Sequence, residues 1–190
     1  MKNKFTTVEI TMMAVFAAIL CVSAYLSIPT PLPNAAHITL LNFMIMLIAL
    51  VFEVRDSVII VALWMILGAV GVPVFIGGGS GIGYLTGVFG GYTFSFIIVT
   101  IFAGLTKGKK YNRIRYTIVA ILTAALIDII GMLWWKFNGN LTWKVAFLSG
   151  FVAFIPLDLA KAIIAAQIVP LFKKLMPEAK TAPEAKKEVA

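Results

Sequence analysis

Six apolar stretches, parted by short polar connections, restrict this chain more than any other feature. They run at about Val8–Ile28, Ile38–Phe52, Ser57–Val72, Gly90–Gly104, Tyr116–Trp135 and Val145–Phe172. Stretches of this kind are read as membrane spans, because within a bilayer a helix is the element that satisfies all its own backbone hydrogen bonds. Composition agrees: 61% of the 190 residues are hydrophobic and 13% are charged, more apolar surface than a soluble core can bury. The expected fold is therefore all-α, a six-helix transmembrane bundle over residues 1–176. An Ala/Glu/Lys/Pro-rich tail at 177–190 is expected to lie outside it. The opening Met1–Lys4 followed by an apolar run looks like a signal peptide. The run continues too far, to about Ile28, for removal to be expected.

A net charge of +8 does not form a nucleic-acid-binding face, because the cations sit in a few connections between apolar runs. Lys2, Lys4, Arg55, the group Lys107, Lys109, Lys110, Arg113 and Arg115, and the C-terminal lysines all fall on one side of a six-span chain. Lys136 and Lys144 fall on the other. Positive connections stay inside, so both termini are expected in the cytoplasm. The proline-rich segment Pro29–His37, the glycine-rich segment 71–92 and the turn between Trp135 and Trp143 then face outward. Cys21 has no partner for an intrachain disulfide, and His37, the sole histidine, is expected in a solvated loop; no metal site is expected.

Within the last apolar stretch, Phe154-Ile-Pro156-Leu-Asp158-Leu-Ala-Lys161 sets an acid and a base three residues apart, on one helical face. Each charge costs about 2.5–3.5 kcal/mol or more at membrane depth. Two readings stand: an ion pair that locks helix packing, or a site for a charged polar solute. Pro156, which lacks an amide hydrogen, is expected to disturb the helix and free carbonyls beside the pair. Asn42 can bond a neighbouring helix or reach the solute.

The segment Gly71 to Tyr92 is apolar enough to stay at the membrane and too glycine-rich for a plain helix. It has neither the Gly-x-Gly-x-x-Gly spacing nor the following lysine of a phosphate loop. Gly79, Gly83, Gly87, Gly91 and Ser95 recur every fourth residue. That stripe would line one face of a helix, but a loop or lid leading into the fourth span is the favoured reading. Phe75, Tyr84 and Tyr92 would wall a ligand, the tyrosines with hydroxyl handles. Trp134 and Trp135 are expected as an interfacial anchor. Ala14 and Ala18 form a small-xxx-small pair that admits a close helix.

Asp128 and Asp158 on consecutive spans raise an intramembrane aspartyl hydrolase as an alternative. Lys161 beside Asp158 opposes the proton sharing that such a dyad needs, and Ile155 and Leu157 stand where a Gly-x-Gly-Asp signature would have glycines. Asp128 is read instead as a packing or pathway residue. A solitary oligomeric transporter is a second alternative, although no clear inverted repeat is visible.

With these motifs in order, the chain resembles BioY, the biotin-binding S component of energy-coupling-factor (ECF) vitamin transporters. The resemblance rests on Pro29-Thr-Pro31-Leu-Pro33, Gly71-Val-Pro-Val-Phe75 before a Gly/Ser cluster, Gly90-Gly91-Tyr92, and Phe154-Ile-Pro156-x-Asp158-Leu-x-Lys161. It departs from the family pattern in Val88 and Phe89 before Gly90-Gly91-Tyr92, at Leu157, at Leu40-Leu41-Asn42, and at Asp128. The resemblance implies a multi-pass protein of the bacterial cell membrane that binds biotin from outside and topples within the bilayer to release it. It implies no enzyme activity and no cofactor, and partners in a transmembrane coupling protein, which would meet Ala14 and Ala18, and two ATPase subunits. The candidate substrate-binding residues are Asp158, Lys161, Phe75, Gly78, Gly79, Ser80, Tyr84, Gly90, Gly91, Tyr92 and Asn42, with Trp135 as a further wall. Lys161 would pair with the carboxylate of biotin and Asp158 with its ureido N–H groups. In the reversed arrangement Asp158 holds Lys161 charged, and Asn42 or backbone meets the ureido group.

Overall fold

The structure, a computed structural model, describes residues 6–28 and 38–175. Lys2, Lys4, the proline-rich segment with His37, and the tail expected at 177–190 lie outside the described residues. Helices form at the apolar stretches, with their ends moved: α1 (Thr7–Ser23), α2 (Leu41–Val51), α3 (Val54–Ala69), a short α4 (Ile82–Thr86), α5 (Gly90–Thr106), α6 (Arg113–Asn138), a short α7 (Trp143–Phe147) and α8 (Ile155–Leu175). α1 opens with a capping box. The Glu9 amide donates to Thr6 Oγ1 at 3.2 Å, and the Thr6 amide donates to Glu9 Oε2 at 2.8 Å. Between α1 and α2 an unexpected two-stranded ribbon pairs β1 (Ser27–Ile28) antiparallel with β2 (Ile38–Thr39).

α2 is the centre of the bundle. Its 11 residues, at about 1.5 Å each, reach about 16 Å, roughly half the hydrocarbon thickness of a bilayer. It packs against α1, α3, α5, α6 and α8. From Met44 to Val51 every residue is buried, so the helix is apolar on all faces, as an enclosed helix must be. The surrounding helices turn large apolar side chains outward, among them Val15 and Ile19 on α1, Leu63 and Ile66 on α3, Ile98 and Leu105 on α5, Ile118 and Leu122 on α6, and Ile163 and Ile164 on α8. An apolar exterior around a filled core suits lipid and not water. Two helical stretches, Arg113–Asn138 and Trp143–Lys174, are each long and apolar enough to cross a membrane unaided.

One end of α2 is held by a single cation. Lys107, 6% exposed, follows α5 and donates from Nζ to the carbonyls of Ala49 (2.8 Å), Leu50 (3.2 Å) and Phe52. These carbonyls end α2, where positive charge is favoured and intrahelical partners run out. Lys107→Met should leave them buried and unpaired and lower stability by at least about 2 kcal/mol. An unchanged melting curve in detergent would refute this assignment.

The opposite end is closed by the ribbon and the glycine-rich segment. That segment is a loop carrying a helical turn at Ile76–Gly78 and the short α4, so the four-residue glycine stripe does not form one helical face. Gly77, Gly78 and Gly81 take φ of 67°, 79° and 83°, values that open to glycine and close to most other residues. Several hydrogen bonds tie the loop down. Tyr25 Oη donates to the Pro73 carbonyl, Trp64 Nε1 to Val74 O at 2.9 Å, the Gly77 amide to Ala24 O at 3.3 Å, and the Gly81 amide to Gly68 O at 2.7 Å.

The last span is not one helix bent at Pro156. α7 passes into a π-helical stretch, Leu148–Val152, and α8 starts afresh at Ile155. Pro156 therefore sits in a first turn, where a missing amide hydrogen costs little, and the disturbance lies upstream of it. The Trp134–Trp135 anchor is also corrected. Trp135 is 3% exposed and faces the core, and Trp134 donates from Nε1 to Gly87 O at 3.0 Å. Trp143 is the exposed ring, 58% accessible, with Lys136 Nζ 5.3 Å from its centroid.

Candidate binding site

The start of α8 positions the charged pair. Asp158 lies in the first turn, where a helix favours negative charge, and is 2% exposed. Lys161, one turn on, donates from Nζ to Asp158 Oδ1 at 2.7 Å and to the Thr39 carbonyl of β2 at 2.9 Å. Asn42, on the first turn of α2, donates from Nδ2 to the other carboxylate oxygen at 3.0 Å. Both oxygens of Asp158 are thus engaged, and the pair ties α8 to α2 and to the ribbon.

Against this corner stands a cavity of ≈ 580 Å³, open mouth included, lined by Thr39, Asn42, Ile76, Tyr84, Phe89, Tyr92, Asp128 and Phe154. Tyr84, Phe89, Tyr92 and Phe154 make its walls aromatic; Thr39, Asn42 and Asp128 make one region polar. Tyr92 is fixed by donation from Oη to Gly150 O at 2.8 Å, a carbonyl of the π-helical stretch. The ring lies flat over α6 because residue 131 is glycine: a Cβ there would fall 2.1 Å from Tyr92 Cδ1. Burial pushes the Tyr84 phenol up to about 12, so it remains a neutral donor at physiological pH.

Of the expected binding residues, Asn42, Tyr84 and Tyr92 line the cavity directly. Asp158 and Lys161 stand behind it, reaching it through their partners Asn42 and Thr39. Of the two arrangements open in the sequence, this geometry matches the part in which Asp158 holds Lys161, with Asn42 at the cavity wall. Phe75 lies a layer behind, stacked on Tyr84 at 4.8 Å and edge-on to Trp64 at 5.2 Å. Gly78, Gly79 and Ser80 form the turn beneath Tyr84, and Ser80 is exposed. Gly90 and Gly91 serve packing in place of the cavity wall: the former meets the Leu85 carbonyl and the latter the Trp134 side chain. Trp135 backs Phe89, with ring centroids 5.4 Å apart. Ala14 and Ala18 are both exposed on α1.

Asp128 is the lining residue that sequence reading placed among packing or pathway residues. It is 2% exposed, and its Oδ1 is a buried side-chain atom without a hydrogen-bond partner among the described residues. An unpaired oxygen of this kind costs about 1–3 kcal/mol. A second, more apolar groove between α6 and α8 reaches Asp128 and Asp158 from the other side, past Ala124, Ala125 and Ile155. The signal that could have located Asp128 was present: an acid inside an apolar span is costly unless it serves a site.

Comparison with known proteins bears out the family resemblance. Residues 1–178 match the family model described as the BioY family. Biotin transporter BioY2 of Lactococcus lactis subsp. cremoris is 34% identical over 157 residues, 82% of this chain and 85% of the relative. Biotin transporter BioY of Thermotoga maritima is 34% identical over 165 residues, 86% of this chain and 95% of the relative. Among solved structures, the S-component for biotin from an ECF-type ABC transporter superposes with a TM-score of 0.80 at 25% identity, covering 92% of this chain and 95% of that one. FolT bound with folic acid shares the fold, with a TM-score of 0.60 at 21% identity over 88% of this chain and 96% of that one.

Proposed function

The chain belongs to the BioY family, and from that premise we propose that it is the substrate-binding membrane subunit, the S component, of an ECF-type transporter that captures biotin. The observation that carries the reading is the aromatic cavity with one polar region, closed at one end by the tied glycine loop and braced by the Asn42–Asp158–Lys161 network. Biotin has complementary parts. Its thiophane ring and aliphatic chain suit the walls made by Tyr84, Phe89, Tyr92 and Phe154, and its ureido group suits the polar region at Thr39, Asn42 and Asp128.

The relatives are named as transporters, and nothing in this proposal requires catalysis, a cofactor or a metal. The subunit sits in the bacterial cell membrane with both termini cytoplasmic, as the side carrying Arg55 and Lys107–Arg115 directs. The glycine loop and ribbon then cover an outward-facing site. Delivery inward uses a transmembrane coupling protein and two ATPase subunits.

Isothermal titration of the purified protein should give saturable biotin binding, with none for riboflavin or thiamine. Equal binding of all three, or of none, would overturn the proposal. Biotin uptake by vesicles should require the coupling protein and ATPases in addition to this subunit; full uptake by this protein alone would identify it as a solitary transporter.

A further inference from the structure

We infer that Asp128 is a substrate-contacting, specificity-determining residue, the acceptor for a ring N–H of the bound ligand. The inference rests on the biotin reading above and assigns a role within that site. The other polar side chains at the cavity's polar region, Thr39 and Asn42, and Tyr92 beside them, each carry at least one bond already. Tyr92 Oη donates to Gly150 O, Thr39 Oγ1 accepts from the Leu41 amide at 3.2 Å, Thr39 O accepts from Lys161, and Asn42 Nδ2 donates to Asp158. Asp158, the acid a sequence reading would choose as acceptor, already accepts from Lys161 and Asn42, one bond at each oxygen, and does not line the cavity. Asp128 Oδ1 is buried, belongs to a cavity-lining residue and accepts nothing among the described residues.

A carboxyl group keeps an acceptor oxygen whether or not it carries a proton, so the assignment holds in either state. The matching ligand feature is a neutral ring N–H, and the cyclic urea of biotin presents two of them. The free amide hydrogen of Asn42 is then available to the urea oxygen. A site built this way discriminates sharply against a ligand lacking the N–H, because its own buried oxygen would remain unpaired. The division of labour is that Asp128 reads the ligand while Asp158 positions Asn42 and Lys161.

The test is titration of the unaltered protein, Asp128→Leu and Asp128→Asn with biotin and with the two singly N-methylated ureido derivatives. Unaltered protein should lose about tenfold or more for one of the methylated forms. In Asp128→Leu, biotin itself should bind about tenfold more weakly and that discrimination should vanish. Asp128→Asn, which keeps a carbonyl oxygen, should recover part of both. Ligand-free Asp128→Leu should melt no lower than the unaltered protein, since it removes an unpaired buried oxygen. Asp128→Ala, read by the same ratio, serves if the leucine variant does not fold. Retention of affinity and discrimination by Asp128→Leu would overturn the assignment, as would weaker binding of all three ligands with their ratio unchanged. Failure of the unaltered protein to bind biotin at all would overturn the substrate reading, and this inference with it.

Discussion

Lys161→Met should destabilise the folded protein by about 3 kcal/mol or more and weaken biotin binding at least about tenfold, roughly 1.4 kcal/mol. The stability loss follows from what remains. Asp158, 2% exposed, would keep its charge with the Asn42 amide as the remaining side-chain donor among the described residues, and an uncompensated buried charge is far more costly than the intact pair. The Thr39 carbonyl of the ribbon loses its donor as well. Removing both charges separates stability from function. Asp158→Asn/Lys161→Met should recover most of the lost stability, because neutral groups of similar shape pack where the pair stood. Affinity should remain low, because Asn42 is no longer oriented by a carboxylate and Thr39 is no longer held. Melting curves in detergent and titration with biotin read the two effects independently. Unchanged affinity in the double variant would reduce the network to a packing device.

Ala14→Trp should abolish coupled biotin uptake, by more than about tenfold, while leaving the affinity of the isolated subunit unchanged. Ala14 and Ala18 lie on the exposed face of α1, away from the cavity. Ala14 also lines an apolar groove with Ile10, Met13, Ile59, Ile60 and Leu63, between α1 and α3. Small residues let two helices approach to about 8–10 Å; an indole there holds a partner off without touching the ligand. The comparison that checks this is uptake by vesicles holding all subunits against titration of the subunit alone. Normal uptake would show that the coupling protein docks elsewhere, and a parallel loss of binding would show that α1 acts on the cavity.

The residues differ in how openly they announced their places in the structure. Asp158 and Lys161 were legible because two charges in apolar sequence at helical spacing admit few explanations. The loop form of residues 71–92 was legible because glycine density makes a helix costly. The place of Asp128 at the cavity was not, since a lone acid gives no hint of which groups surround it, and the same holds for Phe89 and Phe154, two apolar residues among many. Gly90 and Gly91 misled for a related reason: a glycine marks close approach without saying whether a ligand or a neighbouring helix approaches. The inward turn of Trp135 was equally hidden, because an aromatic pair near a span end satisfies both an interface and a core.

Local chemistry, then, decided the class of this protein. Runs of apolar residues, the side on which cations gather and one buried acid–base pair are written in adjacent positions, and each has a free-energy consequence that needs no folded partner to state. The cavity was decided elsewhere. It exists because α2 is short and enclosed, because a π-helical stretch presents the Gly150 carbonyl to Tyr92, and because Thr39 and Asn42, Asp128, and Phe154 converge from three distant parts of the chain. Such convergence depends on how helices cross and pack. No single segment carries that information, so the lining of the cavity became readable only once the helices were assembled.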